Sequence, residues 1–116
     1  MAGMIRNAYT AVIARGDLWE AKVFTEPYEA AWAAEAVFFV HVLEVTCGAG
    51  AVAVAHVQIS PDGIRWVDDG AALEIAARAE ALAFARVTNF GGWLRLAVHV
   101  PEGAGIKVVA TLALKG

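Results

Sequence analysis

The stretch EAVFFVHVLEVT, residues 35–46, runs through the connector CGAG into AVAVAHVQI, residues 51–59. Both stretches are rich in β-branched and aromatic residues, which favour strands, and the glycines between them are typical of a turn. The pattern predicts two β-strands that pair as an antiparallel hairpin. It also favours an all-β fold for the chain as a whole.

Further strands are predicted on both sides of this hairpin. Alternating apolar residues mark LWEAKVFT (18–25), GWLRLAVHV (92–100) and IKVVATLALK (106–115), and the turn PEGAG between the last two predicts a second hairpin. Short strands separated by turns about every ten residues are typical of a β-sandwich or jelly roll. We therefore predict one all-β domain over residues 1–116, an antiparallel, jelly-roll-like β-sandwich with at most one short helix.

Two segments are ambiguous. GAALEIAARAEALAFARV, residues 70–87, contains good helix formers, yet it alternates from Ala81 onwards and runs into the turn signal TNFGG. We expect a strand at its end and leave helix or strand open for 71–80. EPYEAAWAAE, residues 26–35, fits either a helical turn or a long connection between strands.

The composition excludes several classes of partner. Of the 116 residues 59% are hydrophobic and 18% charged, whereas about a quarter is the usual charged share. Nine basic residues are scattered along a chain of net charge −3, which argues against nucleic-acid binding. The longest charge-free run, 45–61, is interrupted by polar residues, so no membrane span is expected. Cytoplasmic synthesis is expected, because the N-terminus has no convincing export signal.

The segment ISPDGIRWVDDG, residues 59–70, predicts a sheet corner. In SPDG (60–63) the proline fixes φ, the aspartate caps the turn and the glycine supplies positive φ. Trp66 is expected to plug one end of the sandwich. Alternatives are a sugar-stacking platform or, less compatible with calcium-loop spacing, a cation site. Both would use the nearby carboxylates of Asp62, Asp68 and Asp69.

No arrangement of residues in the sequence is typical of a catalytic site. The only serine, Ser60, precedes a proline in a turn, and Cys47 has no histidine or basic neighbour, so a buried thiol is expected there. His41, His56 and His99 fall on separate predicted strands, where they either are satisfied singly or meet as metal ligands. We predict no catalytic, cofactor or metal site, and no enzyme.

The predicted hairpin is apolar on both sides. A strand of a two-layer sandwich has one face on the core and one on solvent, so it should alternate; in 36–45 and 51–59 both alternate sets are apolar. Another subunit is the economical cover for the second side, and we predict a homo-oligomer, trimeric or larger. The predicted interface residues are Phe38, Phe39, Val40, His41, Val42, Val52 and Val54.

Three segments of the second half, residues 57–70, 84–100 and 106–116, carry a resemblance to a known group. A strand leads into a DG turn and a Trp, an N-x-G corner precedes a strand with an aromatic and an Arg, and the chain ends in Lys-Gly. This order resembles small β-sandwich proteins among phage and prophage virion components, such as capsid decoration and tail-associated proteins. Its motifs cover about half of the chain and are structural. Their turn, corner and strand-positioning residues are Ser60, Asp62, Gly63, Trp66, Asn89, Gly91 and Arg95.

The resemblance implies a noncatalytic assembly protein that becomes part of a virion or particle, with other capsid or shell proteins as further partners. The alternative is a carbohydrate- or surface-binding sandwich that presents Trp66 and Trp93. No cofactor is expected in either case.

Overall fold

The computed structural model describes residues 8–116, which form an antiparallel sandwich of two sheets. The described residues contain nine strands and no helix, so the predicted all-β sandwich is confirmed. The strands are β1 (Ala8–Trp19), β2 (Lys22–Phe24), β3 (Tyr28–Glu29), β4 (Glu35–Cys47), β5 (Val52–Ser60), β6 (Val67–Ala76), β7 (Leu82–Thr88), β8 (Trp93–His99) and β9 (Gly105–Lys115).

The strands are distributed over a four-stranded and a five-stranded sheet. The four-stranded sheet has the order β1-β9-β4-β7, and the five-stranded sheet has the order β2-β8-β5-β6 with β3 also paired to β8. Among strands that follow one another in the chain, only β5 and β6 pair with each other within the described residues. All other consecutive strands except β2 and β3 lie in different sheets, so the chain interlocks the two layers.

Both predicted hairpins are wrong, although their strands exist. β4 pairs with β7 and β9, whereas β5 pairs with β6 and β8. The glycine connector after β4 therefore crosses from one sheet to the other, and the turn between β8 and β9 does the same. Sheets in a sandwich lie about 10 Å apart, a gap that four or five residues span as easily as they close a hairpin. Alternation identifies strands but does not identify their partners.

The predicted strand 18–25 is broken in the middle. Ala21 has a φ of 55°, in the left-handed region, and at this point the chain leaves β1 and enters β2 in the other sheet. Segment 26–35 is a long connection that contains only the short β3, not a helical turn. Over 71–80 the chain is strand to Ala76 and then a turn, in which the Ala81 N–H donates to the Arg78 carbonyl oxygen at 3.1 Å.

The core lies between the sheets and follows the predicted alternation. Every second residue of β8 and β9 faces inward, and these side chains meet those of β4 and β5 from the facing layer. Apolar area removed from water contributes about 25 cal/mol per Å², so this layer is the main source of stability. The largest fully buried side chains are Trp19, Phe38, Ile75, Leu94, Leu96, Ile106, Leu112 and Leu114.

Candidate functional site

Three of the predicted interface residues belong to the core. Phe38, Val40 and Val42 are fully buried between the sheets. Successive side chains of a strand point to opposite faces, so the inward side chains of β4 are buried against the facing sheet of the same molecule. These three residues are unavailable to a second molecule while the fold is intact, and the expected interface has to be corrected accordingly.

The remaining predicted interface residues lie on two separate surfaces. Phe39 and His41 are on the outer face of the four-stranded sheet, between the buried residues of β4. Val52 and Val54 are on the outer face of the five-stranded sheet, because β5 belongs to that layer. The two pairs are thus on opposite sides of the sandwich. The structure does not bring them together.

An apolar surface crosses all four strands of the four-stranded sheet. In its central row Phe84 of β7 pairs with Phe39, Phe39 pairs with Thr111, and Thr111 pairs with Val12 of β1. The Phe39 and Phe84 ring centroids are 6.2 Å apart. Leu82 is 66% exposed and Phe84 is 50% exposed. We call this surface the outer apolar face; its members are Val12, Leu18, Val37, Phe39, Leu82, Phe84, Val109 and Thr111.

Polar and charged groups lie within and beside this face, because His41 pairs with Leu82 and Val109, and Arg86 pairs with Val37. His41 Nε2 is 3.0 Å from Glu80 Oε2, and Lys107 Nζ is 3.9 Å from Glu44 Oε2. The guanidinium of Arg86 lies 4.9 Å from the centroid of the Phe84 ring. An apolar centre with a polar rim is the usual anatomy of a protein–protein interface.

Part of this face has no signal in the sequence. Leu82 and Phe84 stood out as one side of an alternating segment, but nothing placed β7 beside β4. Val12 and Leu18 come from β1, of which only the last two residues fell within a predicted strand. The register of paired strands brings these side chains together, and composition carries no signal of register.

The outer face of the five-stranded sheet is organised around Arg95. Its guanidinium lies 4.4 Å from the ring centroid of Phe24 and 4.3 Å from that of Trp66. Its Nε donates to Gln58 Oε1 at 2.8 Å, and Gln58 Nε2 donates to Asp68 Oδ1 at 2.9 Å. Desolvation lowers the pKa of Arg95. Trp66 therefore stacks on this outer face, and the prediction that it plugs one end of the core is wrong.

The SPDG corner is held by side chains of its own. Ser60 Oγ accepts the N–H groups of Asp62 and Gly63 at 3.2 and 2.8 Å and donates to Asp62 Oδ1 at 3.0 Å. Asp62 Oδ1 accepts the N–H groups of Ile64 and Arg65. These bonds, above all the one from Arg65, lower the pKa of Asp62. The Ser60 hydroxyl is thus engaged in a turn, and Gly63 has a φ of 78°.

The other predicted corner residues lie close by. Asn89 has a φ of 55°, and a Cβ on Gly91 would meet the Ser60 carbonyl oxygen at 3.3 Å. A Cβ on Gly63 would meet the indole of Trp93 at 3.2 Å, so one face of that ring is covered by the corner. One face of Trp66 is likewise covered by Arg95. Carbohydrate binding by the two indoles stays a prediction.

The residues that could carry chemistry are dispersed. His41 is on the opposite side of the sandwich from His56 and His99, so the three do not meet within one chain. Residues 8–116 contain no group of three or more His, Cys, Asp or Glu side chains placed to hold a metal. Cys47 is exposed, contrary to the expected buried thiol. No helix in the described part of the chain is long and apolar enough to cross a membrane.

Comparison with known proteins gives matches at the level of structure. No protein-family model matches the sequence, and no curated protein matches it. The PBSX exported protein XepA matches 95% of this chain with a TM-score of 0.59 and 10% identity, and this chain spans 36% of XepA. The SPBc2 prophage-derived protein YomS matches all of it with a TM-score of 0.60 and 5% identity, over 99% of YomS.

The fold is thus an antiparallel two-sheet sandwich similar to those of two prophage proteins. The resemblance expected from the sequence is confirmed as a similarity of fold. Fold similarity at these identities does not by itself assign a function.

Proposed function

We propose that this chain is a noncatalytic structural protein of a phage or prophage. In this proposal it assembles into a homo-oligomer through the outer apolar face and serves as a virion or shell component. The observation that carries the proposal is the row Phe84–Phe39–Thr111–Val12, apolar except for the threonine, which crosses every strand of one sheet and is covered by no other part of residues 8–116.

The exposed apolar side chains of this row support an interface because they form one contiguous patch. Single exposed apolar residues are normal on soluble proteins, but a contiguous apolar patch with a polar rim usually marks a contact surface. Leu82 and Phe84 lie next to each other on one side of β7, and the Phe39 ring adjoins Phe84. A stable interface buries about 800 Å² on each partner, an area on the scale of one sheet face of a small domain.

The opposite surface is less suited to the same role. On the five-stranded sheet Arg95 fills the space between Phe24 and Trp66, and Gln58 continues the contacts to Asp68. Val52 and Val54 belong to the same face as these polar groups. The outer apolar face also has polar contacts, from Arg86 to the Phe84 ring and from His41 to Glu80, but the aromatic rings of its central row adjoin each other, which favours it as the assembly surface.

The two structural neighbours support the phage-associated part of the proposal. YomS is described as an SPBc2 prophage-derived protein and XepA as a PBSX exported protein, and the YomS match extends over nearly the whole of both chains. For a virion or shell component, repeated self-association through one surface patch is the simplest route to a symmetric assembly.

Light scattering coupled to size-exclusion chromatography tests the proposal with a matched pair of variants. Phe84→Lys places a charge in the central row, whereas Ile64→Lys places the same charge at a residue that is 80% exposed and outside the face. The proposal predicts an oligomer for the wild type and for Ile64→Lys, and a smaller species for Phe84→Lys with an unchanged β-sheet circular dichroism spectrum. Loss of assembly in both variants, or in neither, contradicts a role for this face.

A further inference from the structure

The open edge of β7 has none of the features that protect β1. Unpaired edge strands invite pairing with another chain, and natural proteins block them with bulges, prolines or inward-pointing charges. β1, at the other edge of the four-stranded sheet, has two register irregularities against β9, between Val12 and Ala14 and between Arg15 and Asp17. β7 pairs with β4 without any irregularity and contains no proline.

Every second residue of β7 directs its backbone groups away from β4, the only strand that β7 pairs with in the described residues, while β6 of the other sheet also lies close to β7. The Val42 N–H donates to the Ala81 carbonyl oxygen, and the Val42 carbonyl accepts the Glu80 N–H, both at 2.8 Å. Val42 thus directs both its backbone groups towards β7. Because antiparallel pairs alternate, Val40 and Phe38 do the same, and the backbone groups of their β7 partners point inward. The backbone N–H and C=O groups of Leu82, Phe84 and Arg86 consequently point away from the sheet.

We propose that a second copy of this chain pairs with the β7 edge, antiparallel about a two-fold axis at Phe84. This rests on the proposed self-association and adds a second contact to it: edge pairing extends the outer apolar face over two copies and leaves that face free for the contact proposed above. Four strands from each copy form one continuous sheet of eight strands. Phe84 lies beside the partner's Phe84, so the central apolar row runs on from one copy into the next. An isologous pairing of this kind closes one edge of both copies at once.

Charge selects this register. In it, Arg86 lies opposite the partner's Leu82, and the partner's Glu80 belongs to the turn that leads into β7, two residues before Leu82. Within residues 8–116 Arg86 has a cation–π contact with Phe84 but no ion pair, and the Glu80 carboxylate, 3.0 Å from His41 Nε2, is on a side chain that is 75% exposed. A shift that placed Arg86 opposite the partner's Arg86 would set like charges against each other, which is unfavourable.

A charge-swap experiment tests the pairing. Arg86→Glu alone and Glu80→Arg alone each place like charges together twice across the axis. We expect each variant to raise the dissociation constant of the dimer about tenfold, and the double variant to restore it. The measurement is sedimentation equilibrium at several protein concentrations. Single variants without effect, or a double variant as weak as the singles, would overturn the pairing.

A backbone variant separates this inference from the proposed function. Leu82→Pro removes an outward N–H that the β4–β7 pairing does not use, and Leu82→Thr is the control that keeps this N–H. The edge pairing predicts that only the proline variant forms a smaller species than the wild type. If both remain oligomeric while Phe84→Lys dissociates, the copies associate through the face without edge pairing, and this inference fails alone. A monomeric wild type would overturn both proposals.

Discussion

Phe38 and Phe39 are neighbours in β4 and belong to two different environments. The Phe38 ring is fully buried between the sheets, whereas the Phe39 ring lies on the outer apolar face beside Phe84. The apolar character of both sides of β4 thus has two separate causes. One side builds the core, and the other lies on the surface, where we propose a contact with a second copy.

This difference predicts unequal effects of truncating the two rings. Phe38→Ala leaves a cavity in the core and should lower the free energy of unfolding by about 3–5 kcal/mol. Phe39→Ala should lower that of the dissociated chain by about 1 kcal/mol or less, because its ring is partly in water. Urea unfolding at low protein concentration measures both. Equal losses would contradict the assignment of the two faces.

The stacked position of Arg95 predicts that lysine is a poor replacement. Arg95→Lys keeps the charge but loses the planar group between Phe24 and Trp66 and the hydrogen bond from Nε to Gln58. We expect the free energy of unfolding to fall by about 1–2 kcal/mol. Arg65→Lys, at a side chain that is 86% exposed, is the control and should have little effect. If the two substitutions lower the free energy of unfolding equally, the stacking of Arg95 between Phe24 and Trp66 does not stabilise the fold.

The lowered pKa of Asp62 predicts an acid-sensitive corner. Because the pKa is lower in the folded than in the unfolded chain, the ionised carboxylate stabilises the fold above the unfolded pKa of about 3.9. This contribution is lost as the pH falls through the folded value. Stability measured from pH 6 downwards should therefore decline less in Asp62→Asn, which does not titrate, than in the wild type. Parallel declines would show that Asp62 is not responsible.

The two glycines of the β4–β5 connector are expected to tolerate substitution by alanine to different extents. Gly48 and Gly50 both have positive φ, so alanine is strained at either position. A Cβ on Gly48 would also lie 2.7 Å from the backbone of Ala104, whereas a Cβ on Gly50 would meet nothing within 4 Å. Gly48→Ala should therefore lower the midpoint of thermal unfolding more than Gly50→Ala. An equal decrease in the midpoint would contradict the close approach of Gly48 to the backbone of Ala104.

The sequence was a good guide to strands and faces. Apolar alternation in 92–100 and 106–115 puts Leu94 and Leu96 on one face and Ile106 and Val108 on one face, and both faces are buried in the core, because side-chain direction follows from local backbone geometry. The SPDG corner was also accessible, since its hydrogen bonds connect Ser60 and Asp62 to residues at most three positions away.

Strand pairing was not accessible in the same way. The connectors after β4 and β8 have the glycines of hairpin turns, yet both cross between the sheets. The apolar row exists because β7, β4, β9 and β1 lie side by side, and Phe84 and Phe39 are 45 residues apart in the chain. Such long-range register depends on the packing of the whole sandwich, and a single short segment does not encode it.

The central claim is that the outer apolar face is covered by another copy of the same chain. The most direct measurement is the mass of the wild-type protein in solution, determined by sedimentation velocity at micromolar concentration. Self-association predicts a species whose mass is at least twice 12.2 kDa. A single species of 12.2 kDa that persists as the concentration is raised would contradict it.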